Sequence, residues 1–267
     1  MVRLLTVGLL LLAFAGTPVT ASPQETLSER SWIEVTSPNF RIYSVLEEER
    51  TIEFLRHLEV MRATLGDTNE KSTYESGVPT IILAVDDHDD YVSIGAPDYS
   101  GGYFFADLRE NAILIEDSDE TAGIQVILHE YAHYLNRQSG RVRFPRWYEE
   151  GNAEFLSHSR LSHDAFEYGI APEKYLATLG FSSWMPLSTL LAISDASALG
   201  ELDGAMFYAQ AWLLVHYLHS RTDNEEKLGA ALTRYARQVG RGVHPTEAFE
   251  VAFGLDVQQL ENDLLKY

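Results

Sequence analysis

Ile127-Leu128-His129-Glu130-Tyr131-Ala132-His133 has the period of an amphipathic helix and, inside it, a His-Glu-x-x-His spacing. At about 100° per residue, Ile124, Ile127, Leu128, Tyr131 and Leu135 fall on one narrow stripe, the expected core face. His129 and His133 fall on the opposite side. Four residues apart, their imidazoles share a helix face and can meet a single Zn2+. Glu130 stands one residue round, close enough to take a proton from a water without being a ligand itself. The spacing predicts zinc-dependent hydrolysis with one zinc per chain and Glu130 as the catalytic base.

A catalytic zinc site usually has three protein ligands and an open position. A metzincin would need Gly at 136 and His at 139, where this chain has Asn136 and Ser139. The chain has no cysteine, so a thiolate ligand and a disulfide framework are both excluded. A carboxylate from a second helix remains. The acidic run Arg146-Trp147-Tyr148-Glu149-Glu150-Gly151-Asn152-Ala153-Glu154-Phe155 is placed to supply it.

Trp147-Tyr148-Glu149-Glu150-Gly151-Asn152-Ala153 resembles the Trp-x-x-Glu-Gly-x-Ala segment of the gluzincin metallopeptidases. It is closest to the secreted bacterial peptidase MA-like proteins and more distant from the M1 aminopeptidases. The resemblance implies a zincin-like fold in which Glu150 is the third zinc ligand. Residues 134–149 separate it from His133, a distance that a helix-loop-helix can span. Glu154, four residues after Glu150, would accept the second ring N–H of a zinc-bound histidine, although Glu149 and Glu154 also read as plain surface acids. From the M1 relatives, Tyr208 is the implied donor to the oxyanion, with His216, Tyr131, Tyr134 and Tyr148 as rivals. The strand Gly102-Tyr103-Phe104, in a hairpin before the zinc helix, is the implied edge that holds extended substrate by main-chain hydrogen bonds. An ordinary hairpin with core aromatics is the alternative there. The M1 amine-binding segment Gly-x-Met-Glu-Asn has no counterpart upstream of residue 129, which favours an endopeptidase or narrow-specificity peptidase over a general aminopeptidase. The competing class is a gluzincin-like scaffold that binds zinc and a partner peptide without turnover, for which an intact Glu130 has no use.

Around this centre the chain reads as one α+β domain. A small mixed sheet is expected over about 32–116 and a mostly helical lobe over about 119–267. Trp32 to Thr36 and Phe40 to Ser44 alternate as a hairpin about Ser37-Pro38-Asn39. A helix is expected from Glu47 to about Leu65, ended by Gly66-Asp67. Residues 79–85 read as a buried strand, and a second hairpin runs over 100–106 and 111–115 with a turn at 107–110. Asp86-Asp87-His88-Asp89-Asp90 between them reads as a solvated loop and helix cap, since it lacks the ligand rhythm of a calcium loop. The zinc helix is expected from Glu120, capped by Asp117-Ser118-Asp119, to before Gly140. Residues 160–204 show short helical pieces and no visible chemistry. A buried helix over 205–218 and two tail helices, 224–239 and 245–265, close the lobe.

Residues 1–21 have the three parts of a secretory signal peptide, with Arg3, an apolar run to about residue 16 and Val19-Thr20-Ala21 before a cleavage after Ala21. No later stretch reaches the roughly 18 apolar residues of a membrane span, so the expectation for residues 22–267 is a secreted or periplasmic protein without stable membrane insertion. A formal net charge of -20 argues against nucleic acid and anionic membranes as partners. It mildly favours cationic substrates, although a solubility charge explains it as well. The expected partner is a peptide or protein substrate.

Overall fold

The computed structural model describes residues 3–4, 27–68, 80–106, 111–118, 120–138, 143–162, 165–221 and 225–267. The expected signal peptide beyond Arg3–Leu4, the 107–110 turn, Asp119 and Gly140 lie outside the described residues. The chain forms two compact units, one of Met1–Val60 with Glu75–Ile127 and one of Met61–Tyr74 with Leu128–Tyr267. It is a mixed α+β protein with a small mixed sheet and a mostly helical remainder.

The first unit holds the six-stranded sheet. Its strands are β1 (Arg3–Leu4), β2 (Ile33–Thr36), β3 (Phe40–Ser44), β4 (Thr80–Val85), β5 (Gly102–Ala106) and β6 (Asn111–Glu116), in the order β1-β2-β3-β4-β6-β5. Strands β3, β4 and β6 are parallel, and antiparallel pairs flank them. The register sets Phe40 and Ile42 beside Thr80 and Ile82, and Ile82 and Ala84 beside Ile113 and Ile115. These residues make one continuous buried face. On the other face Leu83 and Leu114 join Tyr91, Ala96, Trp32 and Val45 in a second cluster. The edge strand β5 alternates as a half-buried strand should, with Phe104 buried and Tyr103 and Phe105 exposed.

Helix α1 (Glu48–Thr68) runs through Gly66 and Asp67, past its expected stop. Asp87 caps α2 (His88–Ser93) by accepting from the backbone N–H of Asp89 at 2.9 Å and Asp90 at 3.1 Å, so the acidic run is a loop and cap. Arg30 pairs with Asp86 and Asp90 beside it. Helix α3 (Glu120–Gln138) begins at its expected residue. Ahead of it, Asp117 takes both ends of the Arg50 guanidinium at 2.7 Å. Gly123 makes room for it, since a Cβ there would stand 1.8 Å from Asp117 Oδ1.

In the second unit, α4 (Arg146–Ser157) packs along α7 (Glu201–Ser220). Helix α7 begins four residues before its expected start and is buried over most of its length, as its all-round apolar sequence requires. Gly151 permits the close approach, because a Cβ there would meet the Ala211 carbonyl oxygen at 2.4 Å. Trp147, fully buried, anchors the start of α4 by donating from Nε1 to Tyr235 Oη at 3.3 Å and by edge contact with Phe249. Gly151→Ala is expected to cost about 1–3 kcal/mol of unfolding free energy through overpacking, measured as a fall in the urea midpoint. An unchanged midpoint would mean the two helices have slack at this crossing.

The stretch 160–204 contains more than helical pieces. The chain enters it through a two-stranded sheet of β7 (Ser159–Leu161) and β8 (Phe166–Tyr168), then forms α5 (Glu173–Phe181) and α6 (Leu187–Ala192). Three-residue strands are too short to show an alternation in sequence. The tail carries α8 (Glu225–Val239) and then two helices where one is expected, α9 (Pro245–Phe253) and α10 (Val257–Leu264). Gly254 ends α9 in the left-handed conformation at φ 66°, which breaks the run. No helix among the described residues is long and apolar enough to cross a membrane.

Candidate metal centre

On α3, Ile127, Leu128 and Tyr131 are fully buried, while His129 and His133 point from the other side and each keep 17% side-chain exposure. Helix α4 presents Glu150 and Glu154 one turn apart on a face that is otherwise buried. His129 lies between these two carboxylates. Its Nε2 is 3.4 Å from Glu150 Oε2 and its Nδ1 is 3.2 Å from Glu154 Oε1. His133 Nε2 is 3.1 Å from His129 Nε2 and 3.5 Å from Glu150 Oε1. Two imidazoles thus aim their Nε2 atoms at each other and at one carboxylate.

The electrostatics match that convergence. Burial opposes a charge on His129, but the hydrogen bonds to Glu150 and Glu154 outweigh it and hold its pKa well above the ordinary value. Burial, then the neighbouring His129 charge, pushes His133 down to about 3. Burial would raise Glu150, yet the hydrogen bond from His129 and the charges around it bring it to about 2. The two rings are thus pushed in opposite directions beside a carboxylate held low. Glu150 Oε1 is buried without a well-aligned hydrogen bond and has the Arg146 guanidinium 2.9 Å away. A buried carboxylate costs free energy unless cations meet it, and Arg146 supplies part of that charge.

The donor set fits a metal ion. His129, His133 and Glu150 offer ligand atoms that all lie within 4.8 Å of one another, and they are the group of this kind among the described residues. Glu154 supplies the orientation the site needs. Its carboxylate, brought to about 2 despite the opposing effect of burial by the hydrogen bond from His129, leaves His129 Nε2 as the ring atom that faces Glu150. Glu154 is itself held, because Tyr175 on α5 donates its hydroxyl to the carboxylate. His158 Nδ1 bonds the Glu154 carbonyl oxygen at 2.9 Å and lies 3.4 Å from Oε2.

The other expected site residues fall as follows. Glu130 sits on α3 between the two histidines in sequence and within electrostatic range of Tyr208. Tyr208, on α7, is half-buried and also within range of Glu150 and Glu154. Gly102, Tyr103 and Phe104 lie on β5 at the edge of the first unit's sheet. Of the rival donors, His216 is taken up with the Tyr267 hydroxyl at 2.9 Å. Tyr131 and Tyr134 are buried, and Tyr148 packs on Phe144 and Trp147.

Three residues of the centre have no place in the sequence reading. Arg146 and His158 stand four residues before Glu150 and four after Glu154, so helical spacing alone signals both. Tyr175 carries no such signal, because it reaches Glu154 through the packing of α5 on α7. No protein-family model matches this chain, and no curated protein matches it.

Proposed function

We propose that this chain is an exported zinc peptidase of the gluzincin type, with a zincin-like fold, in which His129, His133 and Glu150 hold one Zn2+. One observation carries this reading: the separations of 3.1, 3.4 and 3.5 Å among the facing atoms of His129, His133 and Glu150. Tetrahedral ligands at about 2.0–2.1 Å from zinc stand roughly 3.3 Å apart. Two imidazoles and a carboxylate also leave a position open, as catalytic zinc sites do. The His-Glu-x-x-His spacing and the Trp-x-x-Glu-Gly-x-Ala resemblance support the same assignment.

Zinc bound there supplies a Lewis acid for a carbonyl and lowers the pKa of a water. Glu130, adjacent to a ligand and not one itself, accepts the proton of the attacking water and returns it to the leaving amine. Tyr208 donates a hydrogen bond from its phenol to the developing oxyanion. Glu154, fixed by Tyr175, keeps His129 in the tautomer with Nε2 facing the ligand position. Within the first unit, β5 is the edge strand of the sheet, and an edge strand can take up an extended peptide through main-chain hydrogen bonds.

The test is metal content with activity on unstructured protein. Elemental analysis should find about one zinc per chain in the wild type and almost none in Glu150→Ala. Casein cleavage should vanish with chelator and return with added zinc. A wild-type protein that takes up no zinc would sink the proposal.

A further inference from the structure

Charge is distributed unevenly about the centre. Residues 131–148 contain Arg137, Arg141, Arg143 and Arg146 and no acidic residue, in a chain with 40 acids and 20 basic residues. Arg137 closes the last turn of α3, where a cation complements the helix dipole and needs no other explanation. Arg146 is different. It is the first residue of α4, where a cation opposes the dipole, and it precedes Glu150 in the weaker orientation of an i,i+4 pair. Its side chain is 36% exposed, while the Glu150 carboxylate beside it is 2% exposed. Arg146 lies within electrostatic range of His133 and Tyr208, so its charge is felt at both ends of the centre. Arg143, exposed, lies in the approach to the same helix and within range of Glu149.

We infer that Arg146, with Arg143 three residues before it, forms an anion-recognising subsite, and that the substrate is a peptide presenting a carboxylate close to the scissile bond; this rests on the hydrolytic reading above. A cation at the centre takes up the charge of Glu150, the near partner of Arg146, and leaves the guanidinium its longer pairing with Glu149 at 3.8 Å, against which a new anion competes. A planar, always-charged guanidinium with part of its surface in solvent suits a carboxylate. The carboxylate belongs either to an Asp or Glu side chain or to a free C-terminus. The local charge thus selects against the cationic substrates that the net charge of -20 would attract.

The experiment uses the zinc-loaded full chain carrying Glu130→Gln and fluorescence anisotropy with four labelled peptides of one length. They are an acidic peptide with amidated C-terminus, a neutral amidated peptide, a neutral peptide with free C-terminus and a basic amidated peptide. One of the two carboxylate-bearing peptides should bind roughly ten- to a hundredfold more tightly than the neutral amidated one, and which of them does so identifies the source. Arg146→Gln should remove that preference with zinc content unchanged, Arg143→Gln should reduce it, and added salt should weaken it. Equal affinity for all four, including no binding to any, overturns the inference, as does tighter binding of the basic peptide. Loss of zinc in Arg146→Gln also overturns it, since Arg146 then serves to hold Glu150. An Arg146-dependent preference on a protein whose wild type never cleaves the preferred peptide would leave the recognition standing and refute the hydrolysis.

Discussion

Glu130→Gln is expected to keep about one zinc per chain and lose roughly 10²–10⁴-fold in kcat, the contribution of a positioned general base. The substitution conserves shape on α3 and changes neither His129 nor His133, so the metal ligands stay in place. An amide at position 130 is no longer a base at any pH near neutral. If Glu130 also returns the proton to the leaving amine, one substitution removes both transfers and KM should move little. Zinc by elemental analysis and steady-state kinetics on a casein-derived peptide separate the outcomes. Full activity with zinc bound would assign the base to another group. Zinc in both proteins with cleavage in neither would favour the non-catalytic scaffold, for which Glu130 is dispensable.

How much of this centre is readable from sequence depends on how local each contact is. His129 and His133 lie on one helix, and the segment that supplies Glu150 follows within a helix-loop-helix, so the three donors of the metal group are legible in one dimension. Gly151 is legible as part of a pattern, yet its physical reason, a carbonyl oxygen of Ala211 2.4 Å from any Cβ, belongs to the packing of α4 on α7. Arg146 and His158 obey helical spacing and are detectable by it, whereas Tyr175 depends on where α5 docks. Asp117 is unreadable for a second reason: its bidentate pair is with Arg50, 67 positions away, and no local pattern signals so distant a partner. The short strands β7 and β8 and the break at Gly254 fail for a third reason, that three-residue strands and a single αL glycine leave almost no periodic trace.

Tyr208→Phe is expected to lower kcat by roughly 10²–10³-fold, the loss found when one oxyanion donor is removed, with zinc content and KM nearly unchanged. The hydroxyl of Tyr175 is committed to Glu154, and that of Tyr131 accepts from Arg62 at 3.3 Å. Tyr208 is half-buried and within electrostatic range of Glu150, Glu154 and Glu130. Burial, and after it the charge of Glu150, pushes its pKa well above the ordinary tyrosine value. The sign matters, because a raised pKa keeps the proton on the phenol across the whole working range, so Tyr208 is a permanent donor and cannot serve as the base. If its hydrogen bond forms where negative charge develops, the loss falls in kcat. A rise in KM with kcat intact would make Tyr208 a substrate-binding group. A change in the alkaline limb of the pH–rate profile of the wild type that disappears in Tyr208→Phe would show the phenol titrating during turnover, against the direction of its burial.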